Sequence, residues 1–454
     1  MKRVFTVLLV AALLVGALSA NMVSYVQAAG QIAGDLNGDG KVNNRDLGLL
    51  QQLLNGWDVT IEGSADVNGD GAVNNKDLGL LQQALNSREQ EVRLSGTTAS
   101  SYVELGAPAA ALYSSNGIAR IAWDMAIYDG QLYVGCGDFG ANSGTNDGAT
   151  SVISCPLDDV GNWSTTATVK DEQVGRFINI NGRFLIPGFD PLGRPQKGYF
   201  YELIDGQWET HAVLPYGLHN FDVAWFQGRM YAAIGSARGD YSVAYTEDGV
   251  NYSTISFYKD GALLDTGKSD VVRSCNLYVL GDILCADFWY ASEESERTIF
   301  EMYRYNEELD GFEYVADLKT STHGGLYGEA GLPIFEKAAL GDRMFLTTGY
   351  LYWTTDFVTY NEVSIPNNAI VYDMIAYENG RMYLLTADEI AGGYEIAIYS
   401  MSESNPTALR TEATFFYEQM PTAFAMDEDN FFIGTGDWNN KKNQDNGMIL
   451  QIER

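Results

Sequence analysis

Basic residues are scarce: 28 Lys and Arg face 60 Asp and Glu in 454 residues, a formal net charge of −32. Polyphosphate binding needs clustered cations to displace counterions, so a surface this acidic excludes a nucleic-acid binder of the usual kind. Ten prolines exclude a proline-rich stalk. Three histidines, His211, His219 and His323, are too scattered to suggest a zinc site, and no Cys/His spacing supplies one. The chain has no Gly-x-Ser-x-Gly, no phosphate loop and no dinucleotide fingerprint, which argues against covalent serine hydrolysis and nucleotide chemistry. What is abundant is glycine (48) and aromatic side chains (12%), the composition of a β-rich body with many tight turns.

Long apolar runs are equally few. Lys2 and Arg3 precede one from Val4 to Ala20, and Val26-Gln27-Ala28 offers the small residues a signal peptidase requires. Residues 1–28 therefore read as a secretory signal peptide, with an uncleaved membrane anchor as the alternative, and the remainder as secreted, extracellular and off the membrane. Four cysteines suit an oxidising compartment but are too few to be a framework. Cys136 with Cys155, and Cys275 with Cys285, are each spaced for a cross-strand disulfide; four buried free thiols are the equal alternative.

The clearest pattern is an internal repeat. DLNGDGKVNNRDLGLLQQLLNG begins at Asp35 and DVNGDGAVNNKDLGLLQQALNS at Asp66, 31 residues later. Oxygen-bearing side chains fall at loop positions 1, 3, 5, 9 and 12: Asp35, Asn37, Asp39, Asn43 and Asp46, then Asp66, Asn68, Asp70, Asn74 and Asp77. Calcium takes six to eight oxygens, and this spacing curls one loop around one ion, with a backbone carbonyl from position 7 (Lys41, Ala72). Gly40 and Gly71 stand where the sharp turn needs no Cβ. Leu47, Leu50 and Leu54, and Leu78, Leu81 and Leu85, predict an amphipathic helix after each loop. Asp rather than Glu at position 12, followed by Leu-Gly-Leu-Leu, resembles the type I dockerin, a module that plugs secreted proteins into cohesins on a scaffold. The resemblance covers residues 31–88 and implies a small all-α domain, two calcium ions, a cohesin partner, and cohesin contacts at positions 10 and 11, Asn44-Arg45 and Asn75-Lys76.

Residues 89–95 read as a linker, and 96–454 as a second, mainly β domain. Seven hairpin-like segments, with turns near Gly130, Gly182, Gly228, Gly281, Gly341, Gly380 and Asp429, recur with a mean period of about 50. Four short strands per repeat predict a seven-bladed β-propeller; six or eight blades, or a β-sandwich, are the alternatives. The last repeat is one strand short, and TASSYVELG ahead of the first repeat supplies an orphan outer strand to close the ring. In repeat shape this body is similar to kelch-like and sialidase-like propellers. A sialidase Asp box has one approximate candidate, Thr246 to Tyr252, which stands alone.

Aligning the turns exposes one slot at the entry of each innermost strand: Asp124, Arg176, Asp222, Cys275, Phe335, Asp373 and Thr422. Three of these belong to an aromatic-Asp-aliphatic signature led by Trp123, Phe221 and Tyr372. Such residues converge on one mouth of the channel. Asp124, Asp222 and Asp373 are thus candidate catalytic carboxylates, dividing acid and base roles. Arg176, His219, Trp123 and Tyr372 are candidate carbohydrate contacts. The alternative is that each Asp hydrogen-bonds a neighbouring blade's backbone. The expectation is a secreted, cellulosome-type component acting on extracellular polysaccharide, through glycosidic hydrolysis, with a non-catalytic glycan- or protein-binding propeller or a sialidase-like hydrolase as alternatives.

Overall fold

The computed structural model describes residues 34, 36–37, 44–57, 59–61, 65–67, 72–82, 99–138, 149–188, 197–214, 217–236, 241–264, 272–292, 297–318, 336–347, 349–437 and 446–454. The chain separates into two compact units, 1–99 and 100–454. The expected signal peptide, 1–28, lies outside the described residues. Among these, no helix is long and apolar enough to cross a membrane.

In the first unit, helix α1 (Asn44–Leu54) follows the first repeat loop. Its end is a Schellman turn: Trp57 N–H donates to the Gln52 carbonyl (3.0 Å), and Gly56 adopts a φ of 77° that only glycine takes cheaply. Residues 75–82 form the matching helix after the second loop. Asn74 caps it by accepting the Lys76 N–H on its side-chain oxygen (2.9 Å), while Asp77 reaches back to the Asn74 N–H (2.8 Å). Leu50 and Leu81, one per helix, are buried together with Leu36 and Ala65, and Leu47, Leu54 and Leu78 pack against them. Four buried apolar side chains among the described residues are a small core, and a module of this size has little apolar area with which to carry its folding free energy alone.

The second unit is a ring of sheets, antiparallel but for one parallel pair, in a β-propeller-like fold. Sheets A (124–169), B (178–212), D (336–363) and E (370–417) are four-stranded meanders. Sheet F takes three strands from 421–453 and a fourth, Val103–Gly106, from the start of the unit. The orphan strand expected from the sequence therefore completes the last sheet, with Val103 opposite Gln451. Between B and D, where the spacing predicts two more four-stranded sheets, the structure has one of eleven strands, sheet C. The reason is a two-residue strand, Val272–Arg273, that pairs with Arg229–Ser236 on one side and Ile283–Ser292 on the other. It splices meander 217–254 to meander 277–317, and the hairpin Ser256–Lys259/Ala262–Leu263 adds a second link by pairing in parallel with Gly311–Asp317.

Local sequence explains the hairpins. Asp129-Gly130 and Asn181-Gly182 place two consecutive positive φ values between strands (46° and 71°, 51° and 74°), the turn that matches strand twist. The second strand of each sheet is an unbroken apolar run, as in Leu132–Val134 or Phe184–Ile186, because both of its faces are covered by neighbouring sheets. Apolar clusters join A to B, B to C, C to D, D to E, E to F and F back to A. At the closing seam a Cβ on Gly434 would lie 2.5 Å from that of Ala122, so only glycine lets F approach A. All four cysteines are buried free thiols, which removes both expected disulfides. Cys155 faces Leu132, not Cys136, and Cys285 faces Tyr278, not Cys275.

Leu105 packs at the F–A seam and its carbonyl accepts the Trp163 indole N–H at 2.9 Å. A chain lacking residues 1–92 should therefore keep its propeller, whereas deletion through Leu105 strips the outer strand of sheet F and leaves an edge open. Thermal melts should show the longer deletion several degrees lower and prone to aggregate; equal melting would contradict closure by this strand.

Candidate functional sites

Of the twelve expected metal positions, Asp35, Asp39, Lys41, Asn43, Asn68 and Asp70 lie outside the described residues. The others show the two loops to be built alike. Asp46 and Asp77 at position 12 have no solvent exposure. Each draws in its own loop: Asp46 accepts the Leu36 N–H (2.8 Å) and the Asn37 N–H (3.2 Å), and Asp77 accepts the Val67 N–H (2.9 Å). Position 2 thus bonds position 12 in both copies. A fully buried carboxylate needs compensating charge, and the donor set, carboxylates and amides only, has the hardness that suits calcium. Asn37, Asp66, Asn74 and Ala72 sit on the same loops. Asn44-Arg45 and Asn75-Lys76 open the two helices, and Arg45, Asn75 and Lys76 are exposed.

The channel end of the propeller is organised by register. Asp124, Asp222 and Asp373 each stand four residues before the last paired residue of the innermost strand, opposite Gly135, Ala233 and Leu385. In two of the sheets the preceding aromatic, Phe221 or Tyr372, is a bulge that shifts the ladder by one residue. The geometry around the three carboxylates repeats. One oxygen accepts the next residue's N–H: Met125 at 2.7 Å, Val223 at 3.0 Å, Met374 at 2.6 Å. The other crosses to the neighbouring innermost strand: Phe177 N–H at 2.5 Å, Leu277 N–H at 2.7 Å, Phe424 N–H at 2.6 Å. Each aspartate ties one inner strand to the next.

Counting back from the paired turn residue corrects the expected slot at two places, Cys275 and Phe335, the latter itself outside the described residues. Asn276, not Cys275, is in register four residues before Leu280; Glu336, not Phe335, stands opposite Thr347. In sheet F a longer turn puts Ala423 opposite Gly434, and Thr422 becomes the bulge, its hydroxyl donating to the Ala122 carbonyl at 2.6 Å. Glu336 and its neighbour Lys337 were therefore missed in the sequence, although the two-residue Gly341-Asp342 turn was a sufficient ruler.

Arg176 lies 3.6 Å from Asp222 and donates to the Asn276 side-chain oxygen at 3.3 Å. Lys337 contacts both Asp222 and the Leu277 carbonyl. Asn276 is held in turn by Asp287, which also accepts the Cys275 and Asn276 N–H groups. Arg176 and Lys337 thus gather around Asp222, while Asp124, Glu336 and Asp373, at the same register position on three innermost strands, repel one another electrostatically. Burial, then the charge of Glu336, pushes Asp124 up to about 8 against the pull of the Phe177 N–H and Arg176. Burial, then Glu336 and Asp124, holds Asp373 well above the carboxylate range. Burial raises Glu336, which Arg176 partly offsets, and burial drives Lys337 well below the usual range for lysine.

The remaining expected contacts are engaged differently. Trp123 donates its indole N–H to the Gly137 carbonyl at 2.7 Å. His219 is buried and stacks on Phe221 at 4.7 Å. Tyr372 is the half-buried bulge residue of sheet E. The candidate Asp box does not stand alone. At 246–252, Asp248 accepts the Val250 and Asn251 N–H groups and the Thr246 hydroxyl; at 354–360, Asp356 accepts those of Val358, Thr359 and Thr354. The second copy has Phe357 at a φ of 59° where the first has Gly249 at 76°, which hides it from a glycine-based search.

Residues 33–86 match the family model of the dockerin type I domain. Dockerins of this type bind calcium and dock onto cohesins. No curated protein matches the chain. Among solved structures it is similar to the extracellular domain of a one-component system from Bacteroides thetaiotaomicron, at 12% identity and a TM-score of 0.40 over 78% of this chain, which spans only 40% of that one. It is also similar to the α-L-arabinofuranosidase Arb93A of Fusarium graminearum, at 11% identity and a TM-score of 0.40 over 69% of this chain and 100% of that one. A third is the β-propeller domain of the trilobed protease of Pyrococcus furiosus, at 9% identity and a TM-score of 0.40 over 73% and 93%. None of these likenesses bears on what this propeller binds.

Two outcomes follow. EDTA, or Asp46→Ala with Asp77→Ala, should unfold the first unit and leave the propeller's β signal by circular dichroism, since metal binding supplies what so small a module's apolar burial cannot; a first unit still folded in EDTA would contradict it. Asp373→Asn should weaken the bond to Phe424 and lower propeller stability by roughly 1–3 kcal/mol in denaturant titrations; an unchanged midpoint would contradict the fastening role.

Proposed function

We propose that this chain is a secreted component of a cellulosome-type assembly, anchored through its dockerin to a cohesin, whose propeller holds an extracellular carbohydrate at the channel mouth. The docking half rests on the repeat itself: two loops with equivalent buried position-12 carboxylates support two calcium ions, and the exposed Arg45, Asn75 and Lys76 support cohesin contacts at positions 10 and 11. Residues 1–28 act as the signal peptide and 89–95 as the linker. Sheet C counts as two blades, 217–254 and 277–317, which makes the propeller seven-bladed. Its shared Thr-x-Asp turns keep it nearest in form to sialidase-like propellers.

The carbohydrate half is carried by one observation. Two hairpins rise beyond the level of the mouth: Ile283–Ser292 runs five residues past Asp287, and Arg381–Ile390 runs five past Leu385, about 16 Å at the rise of a strand. Half-buried rings line both, Trp289 and Phe300 on one, Tyr394 with Tyr372 at the base of the other. Aromatic faces of this kind stack on sugar rings. Binding without cleavage is the reading that fits Asp124, Asp222 and Asp373, whose oxygens are already occupied by backbone N–H groups.

Hydrolysis of glycosidic bonds is the second reading. It has in its favour Asp124, pushed up to about 8 and so able to donate a proton at neutral pH, beside a second carboxyl, Glu336. The sialidase-like variant is weakened because Arg176 is committed to Asp222 and Asn276. A panel of cellulose, xylan, arabinan, mannan and pectin in affinity gels, with product release measured alongside, tests both. Retention lost in Trp289→Ala at unchanged melting temperature, with no product, is the expected result. Product release abolished by Glu336→Gln would establish hydrolysis instead, and neither retention nor release on any polymer would overturn the carbohydrate reading.

A further inference from the structure

The four carboxyl groups at the mouth are not equivalent. Asp222 has Arg176 at 3.6 Å and Lys337 in contact. Asp124 from sheet A, Glu336 from sheet D and Asp373 from sheet E act on one another, and among the described residues Arg176 is the cation that offsets Asp124 and Glu336. Other ionisable groups surround the cluster: Asp287, Cys275 and Tyr278 of sheet C stand behind Asn276, where Cys275 and Tyr278 feel Arg176, with Arg273 beyond Cys275, and sheet F brings the neutral Thr422 to this level. Lys337, driven towards neutrality by burial, gives little further compensation. Asp124 and Asp373 are also the groups that bridge A to B and E to F.

We propose that the channel mouth is a proton-linked latch: Asp124, Glu336 and Asp373 keep the inner strands together while the cluster retains its protons, and push them apart as it ionises. The proposal is independent of what the propeller binds. The geometry makes repulsion and fastening properties of the same side chains. Two of the three carry a bond to the next strand, and the side chain of the third, Glu336, makes no hydrogen bond among the described residues and adds charge without a tie.

The sign follows from linkage. These carboxyls ionise near pH 4 in an unfolded chain, whereas in the folded chain Asp124 holds its proton up to about 8. Between these limits the folded state binds more protons, so stability is fully present below pH 4 for this group and is lost as pH rises through 8. This is the reverse of a salt-bridged carboxylate.

The test uses the full chain with calcium held constant. The propeller's melting temperature should fall by several degrees between pH 5.5 and 9. Glu336→Gln, which keeps shape and removes one charge, should cut that fall by half or more and melt above the unsubstituted chain at pH 9, while Glu389→Gln on the exposed hairpin should leave the slope unchanged. A melting temperature that is flat or rises with pH, or a slope unaltered in Glu336→Gln, would overturn the latch. Infrared spectroscopy gives a readout that does not depend on melting. A protonated carboxyl stretch should be present at pH 7, lost by pH 9.5 and diminished in Glu336→Gln; its absence at pH 7 would equally overturn the proposal.

Discussion

One hydrogen bond, made three times, holds the propeller's centre: an aspartate oxygen accepting the backbone N–H of the neighbouring innermost strand. Inner strands of a propeller diverge from a common axis and share no ladder, so their first N–H groups would otherwise be buried without a partner, at a cost of about 1–3 kcal/mol each. Asp124, Asp222 and Asp373 satisfy Phe177, Leu277 and Phe424 in this way. Where the slot holds no aspartate, other side chains take over. The Thr422 hydroxyl reaches the Ala122 carbonyl across the seam, and Thr347 reaches Val371 between sheets D and E at 3.2 Å. The aromatic before each aspartate follows from the same constraint. In sheets C and E it occupies the bulge that turns the carboxylate towards its neighbour.

That arrangement concentrates charge. Fastening by carboxylates places acidic groups around a narrow channel, and the chain answers with Arg176 and the Lys337 amine against Asp222 on one side and protonation on the other. A perturbed carboxyl in a cleft is ordinarily read as a catalytic signal, yet structural networks perturb ionisation equally well. Here the occupied oxygens of Asp124, Asp222 and Asp373 favour structure, and Glu336, which has no such tie, keeps the chemical alternative in view.

Much of this was legible in the sequence. The 31-residue repeat specified its loops because each position has a distinct chemical duty, and the incomplete last repeat specified closure by residues 103–106. The aromatic-Asp signature located the fasteners and left open which of two roles they play. What escaped had physical reasons. The slot was placed one residue early at Cys275 and Phe335 because the signature sought there, an aspartate after an aromatic, is absent: Asn276 and Glu336 stand in its place. The second Thr-x-Asp turn was hidden by Phe357 in a conformation that usually calls for glycine. The splice at Val272–Arg273 is two residues long and carries no periodicity. The cysteine pairs looked cross-strand by spacing, but register set each opposite an apolar partner.

The claim that carboxylates fasten the ring is tested most directly by amide hydrogen exchange at Phe177, Leu277 and Phe424, read residue by residue in the intact propeller. The account predicts that these three N–H groups exchange as slowly as the central strands of their sheets, and that Asp124→Asn, Asp222→Asn and Asp373→Asn each accelerate exchange at one of them, in that order. Rapid exchange at all three in the unsubstituted chain would show that the bonds do not hold the inner strands, and would return the aspartates to the role of ligand-facing acids.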